Sequence, residues 1–179
     1  MQLRQHAPFS KTSATDPPGV ISIIYYTTST SEQLTVSASR AKIHAVHILL
    51  ATDAQWVLDE VLAALGSPDT SFTVCRNGRD VPEAIATRTP DVAVLDLQIG
   101  SMGAMAVTMD LRLDHSDHRI PNVPVLMLLD RKADVHLARR SGANGWIIKP
   151  LDALRLQRAA HAVANGDSWH DGEVLAANA

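Results

Sequence analysis

A chain of 179 residues is long enough for one domain of ordinary size with tails, and 46% apolar content supplies a core although only 4% is aromatic. The net charge of −3 gives no electrostatic footprint for nucleic acid, and the single cysteine, Cys75, excludes an internal disulfide and fits a reducing cytosol. No apolar run reaches the roughly 18 residues that suggest a membrane span, and the short run over 20–26 lacks a signal-peptide layout, so a soluble, cytoplasmic protein without membrane insertion is expected.

Residues 1–43 are rich in Ser and Thr, carry Pro17-Pro18-Gly19 and show no helical period. They are expected to be a disordered extension. Two alternatives are an edge strand over the β-prone run 20–26 and a start codon assigned too far upstream. From about Ala45 the pattern alternates strand and helix. Val46–Ala51 is the first apolar strand. Trp56, Val57, Val61, Leu62 and Leu65 then recur at helical spacing, and Gly66 stops that helix. A short second strand covers 72–75. A helix follows over 81–88, with Pro82 tolerated in its first turn.

The third strand, 91–96, delivers Asp96 to its C-terminal end. A helix is predicted from Ala104 to about Asp114, with Met105, Met109, Leu111 and Leu113 available for packing. Strand four is expected over 123–129, a helix over 133–141 ended by Gly142, and strand five over 145–149. The last helix spans 151–165, with Leu154, Leu156, Ala160 and Val163 mostly on one side. Five βα units with short links predict a parallel sheet covered on both faces, with right-handed crossovers.

In such a sheet Asp53, Asp96 and Lys149 share the C-terminal edge, where α/β folds bind ligands. Taken singly, a strand-end aspartate is usually solvated and a Lys-Pro pair is usually a turn. Together, two carboxylates and a lysine at the ends of parallel strands make a pocket for a divalent metal and a small phosphoryl group. His44 and His47, three apart on a predicted strand, point to opposite faces and make a poor metal pair.

This combination resembles the receiver domain of bacterial response regulators, the CheY-like family, over roughly residues 45–165. The resemblance implies a flavodoxin-like (βα)5 doubly wound fold with strand order 2-1-3-4-5. It implies Asp96 as the phosphate acceptor, Asp53 as a direct ligand of Mg2+, and the backbone carbonyl of Gln98 as the third protein ligand alongside Asp96. Lys149 would pair with Asp96 and then with the phosphoryl oxygens, followed by Pro150 in a cis bond. The domain itself is expected over 44–165.

The sequence departs from the family pattern in two places. Receivers usually carry two adjacent acids after strand one, and here the first is Thr52. The family places Thr or Ser at the end of strand four, where this chain has Leu129. Trp146 stands at the position of the family's switch aromatic, and Leu129 supplies no hydroxyl to couple it to a phosphate. The loop Ile99-Gly100-Ser101-Met102-Gly103 lacks the proline common there.

The tail Ala162-Val163-Ala164-Asn165-Gly166-Asp167-Ser168-Trp169-His170 resembles the linker after the receiver in NarL-like regulators of the NarL/LuxR type. Residues 166–179 are therefore expected to be a linker-like tail without an output domain. The alternative for the last eight residues is a frayed, Ala-rich helical end.

The expected function is that of a stand-alone, atypical response regulator in a two-component phosphorelay, not an enzyme. It would receive phosphate from a sensor histidine kinase or a small phosphodonor. It would signal through protein contacts on the face made by helix four, strand five and helix five, to a downstream protein or a second copy of the chain, without binding DNA directly. That face carries Arg131, Lys132, Arg139, Arg140, Trp146 and Arg155. The competing reading is a phosphorylation-independent interaction module. A flavodoxin-like redox enzyme is disfavoured, because no Ser-, Thr- and Gly-rich phosphate loop follows strand one.

Overall fold

The computed structural model describes residues 10–11, 20–24 and 46–172, the first two segments by their backbone alone. Eight strands form one sheet: β1 (Ser10–Lys11), β2 (Val20–Ile24), β3 (Val46–Ala51), β4 (Thr70–Cys75), β5 (Val92–Asp96), β6 (Val125–Leu129), β7 (Gly145–Ile148) and β8 (Trp169–His170). The helices are α1 (Gln55–Leu65), α2 (Val81–Thr87), α3 (Ala104–Ser116), α4 (Val135–Ser141) and α5 (Ala153–Ala164). The order across the sheet is β1-β2-β4-β3-β5-β6-β7-β8. The five βα strands thus follow the expected flavodoxin-like order 2-1-3-4-5 and pair in parallel. The chain reverses its lateral direction between β3 and β5, which makes the C-terminal ends of those two strands the switch point.

Alternation along each strand splits the core into two layers. Leu49, Ala51, Ala93, Leu95, Met127, Leu129 and Trp146 pack with side chains of α2, α3 and α4. Ile48, Leu50, Val92, Val94, Leu126, Leu128 and Ile147 face the opposite way, towards α1 and α5. The central strands are apolar at nearly every position because helices cover both of their faces.

Several boundaries differ from expectation. Strand β6 starts at Val125; Pro124 has no N–H to give to the ladder, although its carbonyl accepts from Ala93 N–H at 2.8 Å. Single 3-10 turns, Gly78–Asp80 and Lys132–Asp134, precede α2 and α4. Extra strands occur at both ends of the sheet. Within the extension expected to be disordered, Val20–Ile24 pairs antiparallel with β4 and Ser10–Lys11 with β2, as the edge-strand alternative had it. The rest of 1–43 and His44 lie outside the described residues, as do 173–179. The tail expected to be linker-like contributes β8, parallel to β7.

His47 is buried on β3, where its ring meets the Thr73 hydroxyl at 2.9 Å and the Thr89 carbonyl at 3.3 Å. Burial, and after it the charge of Arg88, hold its pKa below the usual imidazole value. It is a structural histidine. Among the described residues no helix is long and apolar enough to cross a membrane.

Candidate functional site

The C-terminal edge of the sheet gathers the chemistry. Strand β5 ends on Asp96, which is 2% exposed. Its two carboxylate oxygens have different partners. The ammonium of Lys149 donates to Oδ1 at 2.8 Å, with a longer approach from Gln98 N–H at 3.4 Å. The Thr52 hydroxyl donates to Oδ2 at 3.0 Å. Lys149 follows β7, and its peptide bond to Pro150 is cis. Its backbone N–H donates to Leu129 O at 2.8 Å, so the β6–β7 ladder itself sets the origin of this side chain.

Asp53 lies one residue beyond Thr52, at the exit of β3. Thr52 stays in the ladder through its N–H to Cys75 O at 3.1 Å, and its hydroxyl oxygen also accepts from Ala54 N–H at 3.2 Å. This fixes the turn into α1. The exposed Asp53 carboxylate accepts from Gly100 N–H at 3.0 Å through Oδ2, which ties the end of β3 to the loop after β5. Asp53 and Asp96 therefore stand on neighbouring strand ends, while the ammonium of Lys149 approaches Asp96 from two strands further along the sheet.

Among the described residues, no three His, Cys, Asp or Glu side chains are close enough together to hold a metal by themselves. A cation at this edge would rest on two carboxylates, a backbone carbonyl and water. That donor set is all hard oxygen and low in protein ligands, which suits Mg2+ rather than a thiolate- or imidazole-seeking metal.

Three features of the site were not anticipated. Thr52, which the family pattern marks only as a missing acid, donates to the central aspartate. Asp130 follows β6 and shares the ammonium: Lys149 Nζ lies 3.0 Å from its Oδ1. Trp56, at the start of α1, places its ring 5.2 Å from the same ammonium, at a cation–π distance. Burial alone would lower the Lys149 pKa, but its hydrogen bonds to Asp96 and Asp130 outweigh that and hold it above the usual lysine value. Asp130 stands in the sequence directly after Leu129, but nothing in its local pattern sets it apart from an ordinary turn residue.

Leu129 is fully buried, in the same apolar layer as Trp146, and brings no hydroxyl to the edge. Trp146, on the expected output face, is buried under the chain's own tail. Its indole N–H donates to Asp171 O at 3.2 Å, and His170 stacks on it with centroids 4.1 Å apart and planes at 14°. Arg139 approaches its ring at 5.6 Å. The Asp171 carboxylate accepts from Ile148 N–H at 3.0 Å and pairs with Arg155 at 3.2 Å. Arg131 pairs with Asp134 at 2.9 Å. Only part of the expected basic face is altered: Trp146 is buried and Arg155 pairs with the tail, and strand β8 covers the edge of β7, whereas Arg131, Lys132, Arg139 and Arg140 are exposed.

Residues 48–161 match the family model for the response regulator receiver domain, and the chain belongs to that family. The DNA-binding transcriptional regulator NtrC of Escherichia coli K12 is 34% identical over 101 residues, covering 55% of this chain and 20% of that protein. The DNA-binding transcriptional activator DevR/DosR of Mycobacterium tuberculosis H37Rv is 29% identical over 137 residues, covering 74% of this chain and 60% of that one. The chain therefore spans about a fifth of NtrC and three fifths of DevR/DosR. The receiver domain of the sensor histidine kinase PA1611 from Pseudomonas aeruginosa PAO1 superimposes with a TM-score of 0.56 at 21% identity, covering 67% of this chain and 98% of that domain; it has a magnesium ion coordinated in its active site cleft. The chain is a receiver domain with the CheY-like fold, a signalling module of two-component systems.

Proposed function

We propose that this receiver accepts a phosphoryl group on Asp96 and passes the signal on through protein contacts. The observation that carries the reading is the 2.8 Å ion pair between Lys149 and Asp96 at the switch-point edge, with Asp53 on the adjoining strand end. Asp53, Asp96 and the Gln98 carbonyl are the residues that would hold Mg2+. When bound, the ion would neutralise phosphoryl oxygens beside the attacking carboxylate.

The protein's part in the reaction follows from the contacts of Asp96. Its carboxylate oxygen attacks phosphorus, forming an O–P bond as the donor's P–N or P–O bond breaks. A phosphohistidine leaves as an imidazole that takes up a proton, and an acyl phosphate leaves as a carboxylate. The donor is a sensor histidine kinase or a small acyl phosphate. Lys149 then holds the new phosphoryl oxygens, and Thr52 keeps the other oxygen of Asp96 oriented. The domain runs over about 44–165, works in the cytoplasm and is not itself an enzyme. Its net charge of −3 argues against direct DNA binding. The downstream partner is a protein or a second copy of the chain, docked near α4, β7 and α5 where Arg131, Lys132, Arg139 and Arg140 are exposed.

Magnesium dependence tests the assignment. Labelling by acetyl phosphate should be abolished by EDTA. The Asp53→Asn variant should need at least about tenfold more Mg2+ for half-maximal labelling, the lower end of what losing even an outer-sphere partner of a metal does. An unchanged Mg2+ requirement in Asp53→Asn would remove Asp53 from the metal site.

A second reading, a module whose partner contacts do not depend on phosphate, is favoured by the switch positions. Leu129 offers no hydroxyl to a phosphoryl group, and a hydrogen bond to such a charged group is worth roughly 1.5–3 kcal/mol. Trp146 is already held inward by the tail. A modification shifts an equilibrium only by its differential interaction with the two states. Phosphorylation is therefore expected to change partner affinity by less than about tenfold, or about 1.4 kcal/mol. Titration of the partner against apo and phosphorylated protein measures this, with Leu129→Thr expected to widen the gap. A much larger effect in wild type, or no gain in the variant, would clear Leu129 of responsibility for weak switching.

A further inference from the structure

We infer that Asp130 is a resident counter-ion that competes with an incoming phosphoryl group for Lys149 and so limits how readily Asp96 is phosphorylated. The inference rests on the reading of Asp96 as phosphoacceptor, but its core, competition for Lys149, can be measured without that reaction.

An ammonium has three N–H donors in a compact head. In Lys149 one contacts Asp96 Oδ1 at 2.8 Å and a second contacts Asp130 Oδ1 at 3.0 Å. The Trp56 ring lies 5.2 Å from the same nitrogen, and the lysine side chain is only 9% exposed. The head is thus enclosed by two carboxylates and an aromatic face. A phosphoryl oxygen gains Lys149 by displacing one of them. Asp96 is the acceptor and is 2% exposed, whereas the Asp130 side chain is 35% exposed and sits on the solvent side of the pair. Asp130 is therefore the ligand that gives way.

Its effect is sharpened by Leu129. With no hydroxyl at the end of β6, Lys149 carries more of the grip on the phosphoryl group than it would beside a threonine. Charge works in the same direction. Asp96 and Asp130 both contact the one ammonium and Asp53 stands on the strand end next to Asp96, so an anionic donor meets an edge of its own sign. Removing the Asp130 charge frees a donor and lowers that repulsion together. Asp130 acts through Lys149 and does not touch the transferred phosphorus, so it is a positioning residue.

The test compares wild type, Asp130→Asn and Asp130→Ala in two measurements. First, time courses of intact mass with acetyl phosphate and Mg2+ should show Asp130→Asn and Asp130→Ala labelling roughly threefold to fivefold faster, the worth of one partly exposed ion pair. Second, Lys149 acylation by an amine-reactive reagent is followed by peptide mass while inorganic phosphate is titrated in. Phosphate forms no covalent bond here and competes directly for the ammonium. It should protect Lys149 at a concentration lower by a similar factor once Asp130 is neutral. Unchanged or slower labelling in both variants, or an unchanged protecting concentration, would overturn the proposal. If none of the proteins is labelled on Asp96, the phosphoacceptor reading fails, while the phosphate titration still decides whether Asp130 competes for Lys149.

Discussion

Replacing Trp146 with alanine is expected to destabilise the protein by about 3–5 kcal/mol, the usual range for truncating a buried aromatic. The ring is 1% exposed and fills the apolar layer shared with Met127, Leu129 and Ala138. It also anchors the tail. His170 stacks on it and Asp171 O accepts its N–H, so its removal strips β8 of these two contacts and leaves the pairings Gly145↔Trp169 and Trp146↔His170, the packing of Trp169 on the other apolar layer and the contacts of the Asp171 carboxylate. Denaturant unfolding should show the full loss, with a rise in proteolytic cleavage after Asn165. Trp146→Phe keeps most of the volume but loses the N–H donor, and should cost less than half as much. A loss below about 1 kcal/mol for the alanine variant would mean that the ring is not part of the core.

The second large effect is expected at Gly78. A Cβ built there would lie 1.7 Å from Met102 O and 2.8 Å from Met102 C, both backbone atoms of the loop after β5. No rotamer change relieves a clash with backbone, so in Gly78→Ala the whole loop must move. Overpacking of this kind typically costs about 1–3 kcal/mol and occasionally more. The displacement matters beyond stability. Gly78 N–H donates to Gly100 O at 3.2 Å, and Gly100 N–H holds the Asp53 carboxylate at 3.0 Å. The same loop carries Gln98. Moving it should loosen two of the three expected Mg2+ ligands and weaken magnesium binding about tenfold, as loss of an outer-sphere support does. A lowered melting temperature together with a raised Mg2+ requirement is the predicted pair of results. A variant as stable as wild type would contradict the close approach of the two loops.

These two sites mark where the sequence was legible and where it was not. The ends of β3, β5 and β7 could be read because each is a buried apolar strand followed by a charged residue, a pattern that depends on local order alone. Asp53, Asp96 and Lys149 were found that way. Gly78 was not, since its meaning lies in the approach of a loop some twenty residues further along the chain. Strand β8 is two residues long and carries no strand signal of its own; it forms because β7 presents an unpaired edge and Gly145 leaves room. A Cβ on Gly145 would meet Trp169 O at 2.7 Å and Val163 Cγ2 at 2.9 Å. Strand β2 was legible only as a β-prone run, because pairing with β4 is decided by which edge stands open.

Asp130 was missed for another reason. An acidic residue in a turn is usually solvated, and only the distance to Lys149 distinguishes this one. Thr52 was judged by what it lacks, a carboxyl, whereas its hydroxyl reaches Asp96. For Thr52, residue type at a family position was a weaker guide than the contact the side chain makes.

Intact mass of the wild type and of Asp96→Asn after incubation with acetyl phosphate and Mg2+ tests the central claim most directly. Wild type should gain one phosphoryl group, lost on chelation of the metal, and Asp96→Asn should gain none. Equal labelling of the Asn variant, or a wild type that takes up no phosphate from any donor, would contradict Asp96 as the acceptor.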